Sequence, residues 1–138
     1  MNDCLFCKII AQELPATIIA EDEYTVAFLD IHPTNPGQTL VVPKTHIANL
    51  QTADKETIHR VFEMTQKIGR AVIKGLGVEG YNIIQNNGAV AGQAIGHLHV
   101  HVVPRFAEDG FVHWHGQDYE NEQQVQNVAE HLRGALIV

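Results

Sequence analysis

The pattern of apolar and polar positions predicts one long amphipathic helix in the middle of the chain. Its buried positions recur at steps of three and four residues, the spacing that places side chains on one face of a helix. This stripe runs through Ile58, Val61, Phe62, Thr65, Ile68, Val72 and Leu76. We therefore predict a helix over residues 53–76, with Thr52 as its N-cap and with Gly75 and Gly77 ending it.

Shorter patterns on both sides of this helix predict the strands of a sheet. Runs that are rich in β-branched and aromatic residues and bounded by turn residues are typical of strands. Five such runs cover residues 17–20, 24–30, 39–43, 81–85 and 95–103. The first two predict a hairpin, residues 32–38 predict a loop, and Pro104 is expected to stop the last strand.

Two further helices are predicted at the ends of the chain. The first covers residues 4–12, and the second covers residues 117–136. The second has an apolar stripe, expected to be buried, made of Val125, Val128, Leu132 and Leu136. Together the elements indicate an α+β fold with about five mainly antiparallel strands, one long helix and shorter flanking helices. With 138 residues, the chain fits a single domain over residues 1–138.

The charge balance argues against a general nucleic-acid-binding surface. The chain has 9 Lys and Arg against 16 Asp and Glu, a formal net charge of −7, whereas such a surface needs a basic stripe. No stretch approaches the roughly 20 apolar residues of a membrane span, and no secretory signal is visible at the N-terminus. We therefore expect a cytoplasmic protein without nucleic-acid or membrane partners. An anionic ligand would need local positive charge from helix N-termini, histidines or a metal ion.

Histidine is the residue type that changes this picture, with 9 in the chain. Three of them, His97, His99 and His101, alternate with apolar residues in the last predicted strand. Because alternate side chains of a strand lie on one face, the three imidazoles are expected to project together. A neutral imidazole can be a nucleophile, a proton shuttle or a metal ligand. The pattern therefore favours a chemical site over the simpler interpretation of a polar face on a half-buried strand.

A glycine-rich turn precedes the histidines. Residues 86–92 include Asn86, Gly88 and Gly92, and the turn brings the chain back beside the histidine face. Glycines allow close backbone approach and expose amide groups, which suits phosphate oxygens. The turn and the histidines together favour a phosphate-containing substrate.

A longer signature surrounds these residues. Gly92-Gln93, followed by His97-x-His99-x-His101-Val102-Val103, resembles the signature of the histidine triad (HIT) superfamily of nucleotide hydrolases and transferases. Further segments resemble the Hint-like branch, particularly its bacterial members: residues 6–10, 13–15, 27–31 and 42–46. The resemblance covers residues 4–106 and so implies a HIT core there, with residues 107–138 as a C-terminal extension.

The resemblance implies a two-step hydrolysis of a nucleotide. His99 corresponds to the nucleophile that attacks the α-phosphorus of a purine nucleoside phosphoramidate or related conjugate, giving a nucleotidyl-histidine intermediate that water hydrolyses. The carbonyl of His97 would fix the proton on the other ring nitrogen of His99. His101 would contact phosphate oxygens near the leaving group, and its proton would either neutralise charge or reach the departing atom. A dinucleoside polyphosphate hydrolase, a nucleotidyl transferase and a non-enzymatic nucleotide sensor are the alternative interpretations.

The same resemblance implies which groups hold the rest of a nucleotide such as AMP. Asp30 corresponds to a carboxylate that binds both ribose hydroxyls, against the alternative of an aspartate that caps a turn. The slot for the base would be formed by Phe6, Ile9 and Ile31, for which ordinary core packing is the alternative. Contacts to the phosphate and to its leaving side would come from Asn86, Gly92 and Gln93. Ala94 departs from the pattern, in which serine usually follows the glutamine.

Cys4 and Cys7 form a C-x-x-C pair and are the 2 cysteines of the chain. In a reducing compartment this spacing indicates a metal site or a redox pair more than a structural disulfide. A structural zinc site needs two more ligands, and the resemblance supplies His46 and His97, a similar set to that of galactose-1-phosphate uridylyltransferases. We therefore predict a structural zinc ion, as in bacterial zinc-containing relatives. A pair of reduced thiols without metal is the alternative.

The remaining expectations concern the surface. The resemblance implies a homodimer, joined through the long helix and strand edges. Three histidines are expected to be exposed, namely His32, His59 and His131. A further cluster is interpreted as a solvated loop or dimer contact, with a place beside the active site as the alternative: His113, Trp114 and His115.

Overall fold

A computed structural model describes residues 3–136 of the chain, and residues 1, 2, 137 and 138 lie outside the described part. The predicted domain, residues 1–138, therefore extends beyond the described part at both ends. The predicted extension, residues 107–138, extends beyond it at the C-terminal end. The helices are α1 (Leu5–Ile10), α2 (Lys55–Leu76) and α3 (Glu122–Ala135). The strands are β1 (Ile18–Glu21), β2 (Thr25–Leu29), β3 (Thr39–Pro43), β4 (Gly80–Ile84) and β5 (Val100–Arg105). Over residues 3–136, no helix has the length and apolar character to cross a membrane.

The five strands form one antiparallel sheet with the order β1-β2-β3-β5-β4. β2 and β3 pair along their whole length, from Thr25 opposite Pro43 to Leu29 opposite Thr39. β5 lies between β3 and β4, so the strand that carries the last motif histidine is an interior strand. The predicted α+β fold with five antiparallel strands is confirmed.

Alternation along the strands divides the core between the two faces of the sheet. One face packs against α2 and contains Ala27, Val41, Val100 and Val102 together with helix residues such as Ile68. The other face packs against α1 and contains Phe6, Val26, Phe28, Leu40 and Val42. Since successive side chains of a strand point to opposite faces, the histidines that alternate with Val100 and Val102 belong to the α1 face.

The long helix begins two residues later than predicted. Asp54, not Thr52, is its N-cap, and the carboxylate accepts a hydrogen bond from the backbone N–H of Thr57 at 2.9 Å. Thr52 instead ends a short 3-10 helix that is capped by Asn49. Gly77 ends α2 as predicted, in the left-handed conformation at φ 67° that glycine adopts most readily.

The last strand is shifted along the chain relative to the prediction. It begins at Val100 rather than at residue 95, and it continues through Pro104 to Arg105. Pro104 has no backbone N–H to donate, but no hydrogen bond to β3 is lost, because the pairing of β5 with β3 ends at Val102. Beyond that point the carbonyl of Pro104 accepts a hydrogen bond from the Asn35 side chain at 2.9 Å.

The predicted buried stripe of the C-terminal helix is wrong for the isolated chain. α3 contains no buried residue, and Val128, Leu132 and Leu136 are exposed. The segment of residues 106–121 that leads to α3 has no helix or strand and is exposed over most of its length. The helical period of the stripe is present, but no element within residues 3–136 covers it.

Candidate active site and metal centre

The motif histidines lie where the chain enters β5, on the α1 face of the sheet. His97 is fully buried and His99 is 6% exposed. His99 and His101 stand next to each other with ring centroids 4.9 Å apart. The ring of His97 packs instead against His46, with centroids 4.9 Å apart. Alternation predicted that the three rings would lie together on one face. The structure separates His97 from the other two, because residues 97–99 precede the regular strand.

The proton on His99 is placed by the backbone. Its Nδ1 lies 2.7 Å from the carbonyl oxygen of His97, so Nδ1–H donates and Nε2 keeps its lone pair. Burial lowers the pKa of His99, although the hydrogen bond to His97 and the charge of Asp30 act in the opposite direction. A buried neutral imidazole with a free Nε2 has the protonation state that a nucleophile needs.

His101 is contacted by a side chain that the sequence did not single out. The Nε2 of Gln38 lies 3.1 Å from Nδ1 of His101 and 3.2 Å from a carboxylate oxygen of Asp30. Burial and the neighbouring His99 lower the pKa of His101, which Asp30 partly offsets. In the sequence, Gln38 lies in a predicted loop, and no spacing or period distinguishes it from its neighbours.

Asp30 also binds its own turn. One carboxylate oxygen accepts from the backbone N–H of His32 at 2.9 Å, and the other accepts from Gln38. This is the turn-capping role that stood as the alternative to ribose binding. The two roles are compatible, because a carboxylate offers about four lone-pair positions.

The residues expected to form the base slot do not all meet. Phe6 is buried in the core and contacts the ring of His99 edge-on, with centroids 5.1 Å apart. Ile9 packs against the same cluster. Ile31 is 83% exposed and lies outside it. Core packing therefore accounts for Phe6 and Ile9, and the structure does not bring Ile31 together with them.

Gln93 holds the glycine-rich turn together. Its Oε1 accepts from the backbone N–H of Gly88 at 2.9 Å, and its Nε2 donates to the carbonyl oxygens of Ala48 at 2.6 Å and Ile95 at 3.1 Å. Gly88 and Gly92 have φ values of 95° and 93°, which other residues rarely adopt. The turn is therefore a defined loop whose shape depends on one side-chain amide and two glycines.

Asn86 lies beside this turn, where a Cβ placed on Gly92 would be 3.5 Å from its Nδ2. It also lines a cleft of about 580 Å³ that extends along β4 to the C-terminal segment. The walls of this cleft include Arg105, Phe111, His113 and Trp114. Trp114 is 90% exposed, so His113 and Trp114 belong to an open surface. The predicted exposure of His32, His59 and His131 is confirmed.

The four predicted metal ligands converge. The ligand atoms of Cys4, Cys7, His46 and His97 all lie within 4.8 Å of one another. Nδ1 of His97 is 3.4 Å from Sγ of Cys4 and 3.6 Å from Sγ of Cys7, and Nδ1 of His46 is 3.3 Å from Sγ of Cys7. Burial and the adjacent Cys4 raise the pKa of the Cys7 thiol. The C-x-x-C pair thus lies at a centre of two thiols and two imidazoles.

This donor set fits a tetrahedral zinc ion. Zinc–sulfur and zinc–nitrogen bonds of about 2.3 and 2.0 Å place neighbouring S and N atoms about 3.5 Å apart, close to the separations found. The outward nitrogen of His97 donates to the carbonyl of Pro43 at 2.8 Å, which leaves Nδ1 free to bind metal. Metal-binding histidines commonly make such a bond to the backbone.

Comparison with known proteins gives a consistent result. A family model described as HIT domain matches residues 11–108. The hit protein of Bacillus subtilis is 41% identical over 139 residues, which cover 98% of this chain and 95% of that protein. An adenosine 5′-monophosphoramidase of Schizosaccharomyces pombe is 38% identical over 106 residues, which cover 77% of each chain.

Solved structures resemble the whole chain. A HIT family protein from Bacillus subtilis matches with a TM-score of 0.90 and 38% identity, covering 99% of both chains. A zinc-bound histidine triad family protein from Mycobacterium smegmatis matches with a TM-score of 0.77 and 36% identity, covering 98% of this chain and 99% of that one.

Proposed function

This chain belongs to the HIT domain family, and on that premise we propose that it hydrolyses purine nucleoside phosphoramidates or related conjugates at the α-phosphate. The name of the 38% identical monophosphoramidase supports this substrate class. The observation that carries the proposal is the 2.7 Å hydrogen bond from His99 Nδ1 to the His97 carbonyl. That bond leaves Nε2 of His99 unprotonated in a buried site, which is the state required for attack on phosphorus.

The proposed reaction has two displacements at phosphorus. In the first, a bond forms between Nε2 of His99 and the α-phosphorus, and the bond from phosphorus to the amine breaks. In the second, a water oxygen attacks phosphorus, the bond to Nε2 breaks and the nucleoside monophosphate leaves. The departing amine takes up one proton and the water gives up one, so one water is consumed per turnover. The intermediate replaces one difficult attack by two easier ones.

The groups around His99 suit the rest of the nucleotide. We propose that Asp30 binds the ribose hydroxyls, that the Gly88–Gly92 turn with Gln93 and Asn86 holds the phosphate, and that His101 contacts its oxygens. Phe6 and Ile9 form the inner wall for the base, with Ile31 covering it from outside. Three backbone N–H groups of the turn already donate within the loop, from Gly88 to Gln93, from Ala91 to Gly88 and from Gly92 to Ala89. The local donors for an anion, which the net charge of −7 makes necessary, would therefore come from the side chains of Asn86 and His101.

A panel of nucleotides on metal-quantified protein tests the proposal. Adenosine phosphoramidate, diadenosine tetraphosphate and adenylyl sulfate separate a phosphoramidase from the other hydrolases, since an adenylylsulfatase of Arabidopsis thaliana is 37% identical over 108 residues. His99→Ala is expected to lower turnover by at least about 10³-fold and to prevent formation of a nucleotidyl-protein adduct. His59→Ala, an exposed histidine on α2, is the control. Near-wild-type turnover by His99→Ala would refute the assignment.

We propose that zinc is the resident metal and has a structural role. Cys4, Cys7, His46 and His97 would hold it, which ties α1 and the segment after β3 to the entry of β5. All four tetrahedral positions are then filled by protein, so the ion supplies stability rather than a coordinated water. The thiols must be reduced for binding, which agrees with the proposed cytoplasmic location.

We also propose that the partner of this chain is a second copy of itself. β4 is an edge strand of the sheet, and its Ile83 is exposed. Exposed apolar side chains also occur on α2, at Phe62, Ile73 and Leu76, and along α3. Light scattering after size exclusion tests this proposal, which requires a dimer of 15.3 kDa chains; a monomer at micromolar concentration would contradict it.

A further inference from the structure

Gln38 occupies an unusual position between two groups of the proposed site. Its side chain is buried, with 5% of the residue exposed, and its amide nitrogen contacts both His101 and Asp30. Ring nitrogens of histidine can donate or accept according to where the proton lies. The role of His101 therefore depends on which way the Gln38 amide is oriented.

The orientation of this amide is fixed by a third contact. The backbone N–H of Thr34 lies 2.7 Å from Oε1 of Gln38 and can only donate. A carboxylate such as Asp30 can only accept, and it lies at the Nε2 end. Rotating the amide by 180° would place N–H against N–H at Thr34 and oxygen against oxygen at Asp30, which leaves two partly buried contacts unsatisfied.

The fixed amide determines the proton on His101. An amide nitrogen has two N–H bonds, one for the Asp30 carboxylate and one for Nδ1 of His101. Nδ1 must then accept, so the single proton of the neutral ring lies on Nε2. An imidazolium would carry a second proton on Nδ1, directed at the N–H of Gln38, and no other acceptor lies within hydrogen-bonding distance of Nδ1 among residues 3–136.

We propose that Gln38 is a positioning residue that holds His101 neutral, with its proton on Nε2, and ties it to Asp30. His101 then acts on the substrate as a hydrogen-bond donor and not as a proton source, because a neutral imidazole that gave up Nε2–H would become an anion. The consequence for catalysis rests on the proposed function. A nucleotide bound at Asp30 is thereby linked, through one amide, to the group that contacts its phosphate.

Two variants reverse or remove the contact. Gln38→Met keeps the length of the side chain and removes both donors. Gln38→Glu replaces the donor facing His101 by an acceptor, which favours a proton on Nδ1 and, together with Asp30, an imidazolium. Thr39→Val is the matched control, since the neighbouring Thr39 begins β3 and its Oγ1 donates to the Gly37 carbonyl at 3.0 Å, and the substitution removes this hydrogen bond but none to His101.

The decisive measurement is a ¹⁵N–¹H correlation spectrum of histidine-labelled, zinc-loaded protein, with His101 assigned through His101→Gln. In the wild type and in Thr39→Val we expect the neutral ring with its proton on Nε2. In Gln38→Glu we expect protonation at Nδ1, and in Gln38→Met a mixture of the two tautomers. A wild-type ring with its proton on Nδ1 would overturn the inference. So would spectra that are the same in all four proteins.

Leaving-group dependence gives the second readout. An alkylamine phosphoramidate of AMP needs a proton on its leaving group, whereas the p-nitrophenyl ester does not. We expect Gln38→Glu to raise the amine-to-ester rate ratio on the order of 10-fold, as general acid catalysis becomes available, and Thr39→Val to leave the ratio unchanged. An unchanged ratio in Gln38→Glu with a protonated Nδ1 would overturn the catalytic part. If the wild type hydrolysed neither compound, the proposed function would fail, while the spectra would still decide the position of the proton.

Discussion

The ring of Phe6 stands edge-on to the imidazole of His99, with centroids 5.1 Å apart and an angle of 78° between the planes. The same ring meets Phe28 at 5.5 Å and His97 at 5.9 Å. A residue of the short helix α1 therefore contacts the core of the sheet, the candidate metal ligand His97 and the proposed nucleophile. Its packing links the stability of the fold to the orientation of the histidine.

Substituting Phe6 tests this link. Phe6→Ala removes a fully packed aromatic side chain and is expected to lower the free energy of unfolding by about 3–5 kcal/mol. Turnover of a nucleoside phosphoramidate at a temperature where the variant stays folded should also fall, because His99 loses the ring that limits its rotation. Urea denaturation and kinetics measure the two effects. Phe6→Leu keeps most of the buried volume without the ring, so it should recover much of the stability but not the turnover; wild-type turnover in this variant would contradict the role of the ring.

The metal centre predicts a composition that can be measured. Freshly isolated protein should contain about one zinc per chain. Cys7→Ser is expected to lose most of this zinc and to lower the thermal midpoint by roughly 10 °C, because metal binding contributes directly to folding. Elemental analysis and calorimetry give the two values. His32→Ala, at an exposed histidine, should retain the metal. Wild-type protein without any metal would refute the prediction.

Substitution of two glycines by alanine should have different effects on stability, although both positions have room for a Cβ. A Cβ would meet nothing within 4 Å at either Gly88 or Gly96, but only Gly88 has a positive φ, of 95°. Gly88→Ala should therefore destabilise the protein by about 1–2 kcal/mol. Gly96→Ala should stay within roughly 0.5 kcal/mol of wild type. Thermal unfolding decides this, and equal losses in both variants would exclude backbone strain as the cause.

Asp30 predicts a preference for ribose. If both hydroxyls bind its carboxylate, a 2′-deoxynucleoside substrate should react with a kcat/KM lower by about 10- to 100-fold, which corresponds to 1.4–2.7 kcal/mol. Asp30→Asn should weaken this preference, mainly by slowing the ribose substrate. Parallel kinetics with the two sugars measure the ratio. If the variant kept the wild-type ratio, Asp30 would be restricted to capping its turn.

Asp109 predicts how stability depends on acid. Its carboxylate accepts from Arg105 at 2.8 and 2.9 Å. These bonds, with further bonds from the Phe111 backbone and Asn35, hold the pKa of Asp109 well below its usual range. Because the folded pKa is depressed, the stabilisation is complete above the unfolded value of about 3.9 and is lost as the pH falls below it.

The matching experiment compares wild type with Asp109→Asn. Between about pH 5 and 7, the thermal midpoint of wild type should exceed that of the variant by a constant amount. Below about pH 4, this difference should shrink as the pH falls further. Asp118→Asn, at an exposed carboxylate of the same segment, should show no such convergence. A difference that grew toward low pH would have the wrong sign for the proposed ion pair.

The sequence predicted those features that depend on local periodicity or on a strong motif. The stripe of α2 identified the helix because burial on one face follows directly from its period. Runs of β-branched and aromatic residues between turn residues identified the strands. The four residues predicted as metal ligands are also brought together by the structure, as a cluster that could hold a metal ion. Here the C-x-x-C spacing and the resemblance supplied separate parts of the set.

Other features depend on contacts that a period does not contain. Pro104 is tolerated in β5 because β3 has already ended beside it, which only the register reveals. The stripe of α3 has a helical period, but its burial depends on a partner surface that the described part of the chain does not provide. The position of Gln38 is evident only from the structure, in which its amide contacts three groups: Thr34, Asp30 and His101.

His97 contacts two neighbouring groups, one through its side chain and one through its backbone. Its side chain faces the cysteines, while its backbone carbonyl accepts a hydrogen bond from Nδ1–H of His99. Every amino acid retains that carbonyl, so substitution at this position can remove a proposed metal ligand and still leave the hydrogen bond to the proposed nucleophile. The two proposed roles are therefore free to diverge in evolution: a lineage can lose the proposed metal ligands one at a time and keep the hydrogen bond of His99, provided that the remaining core holds the segment in place.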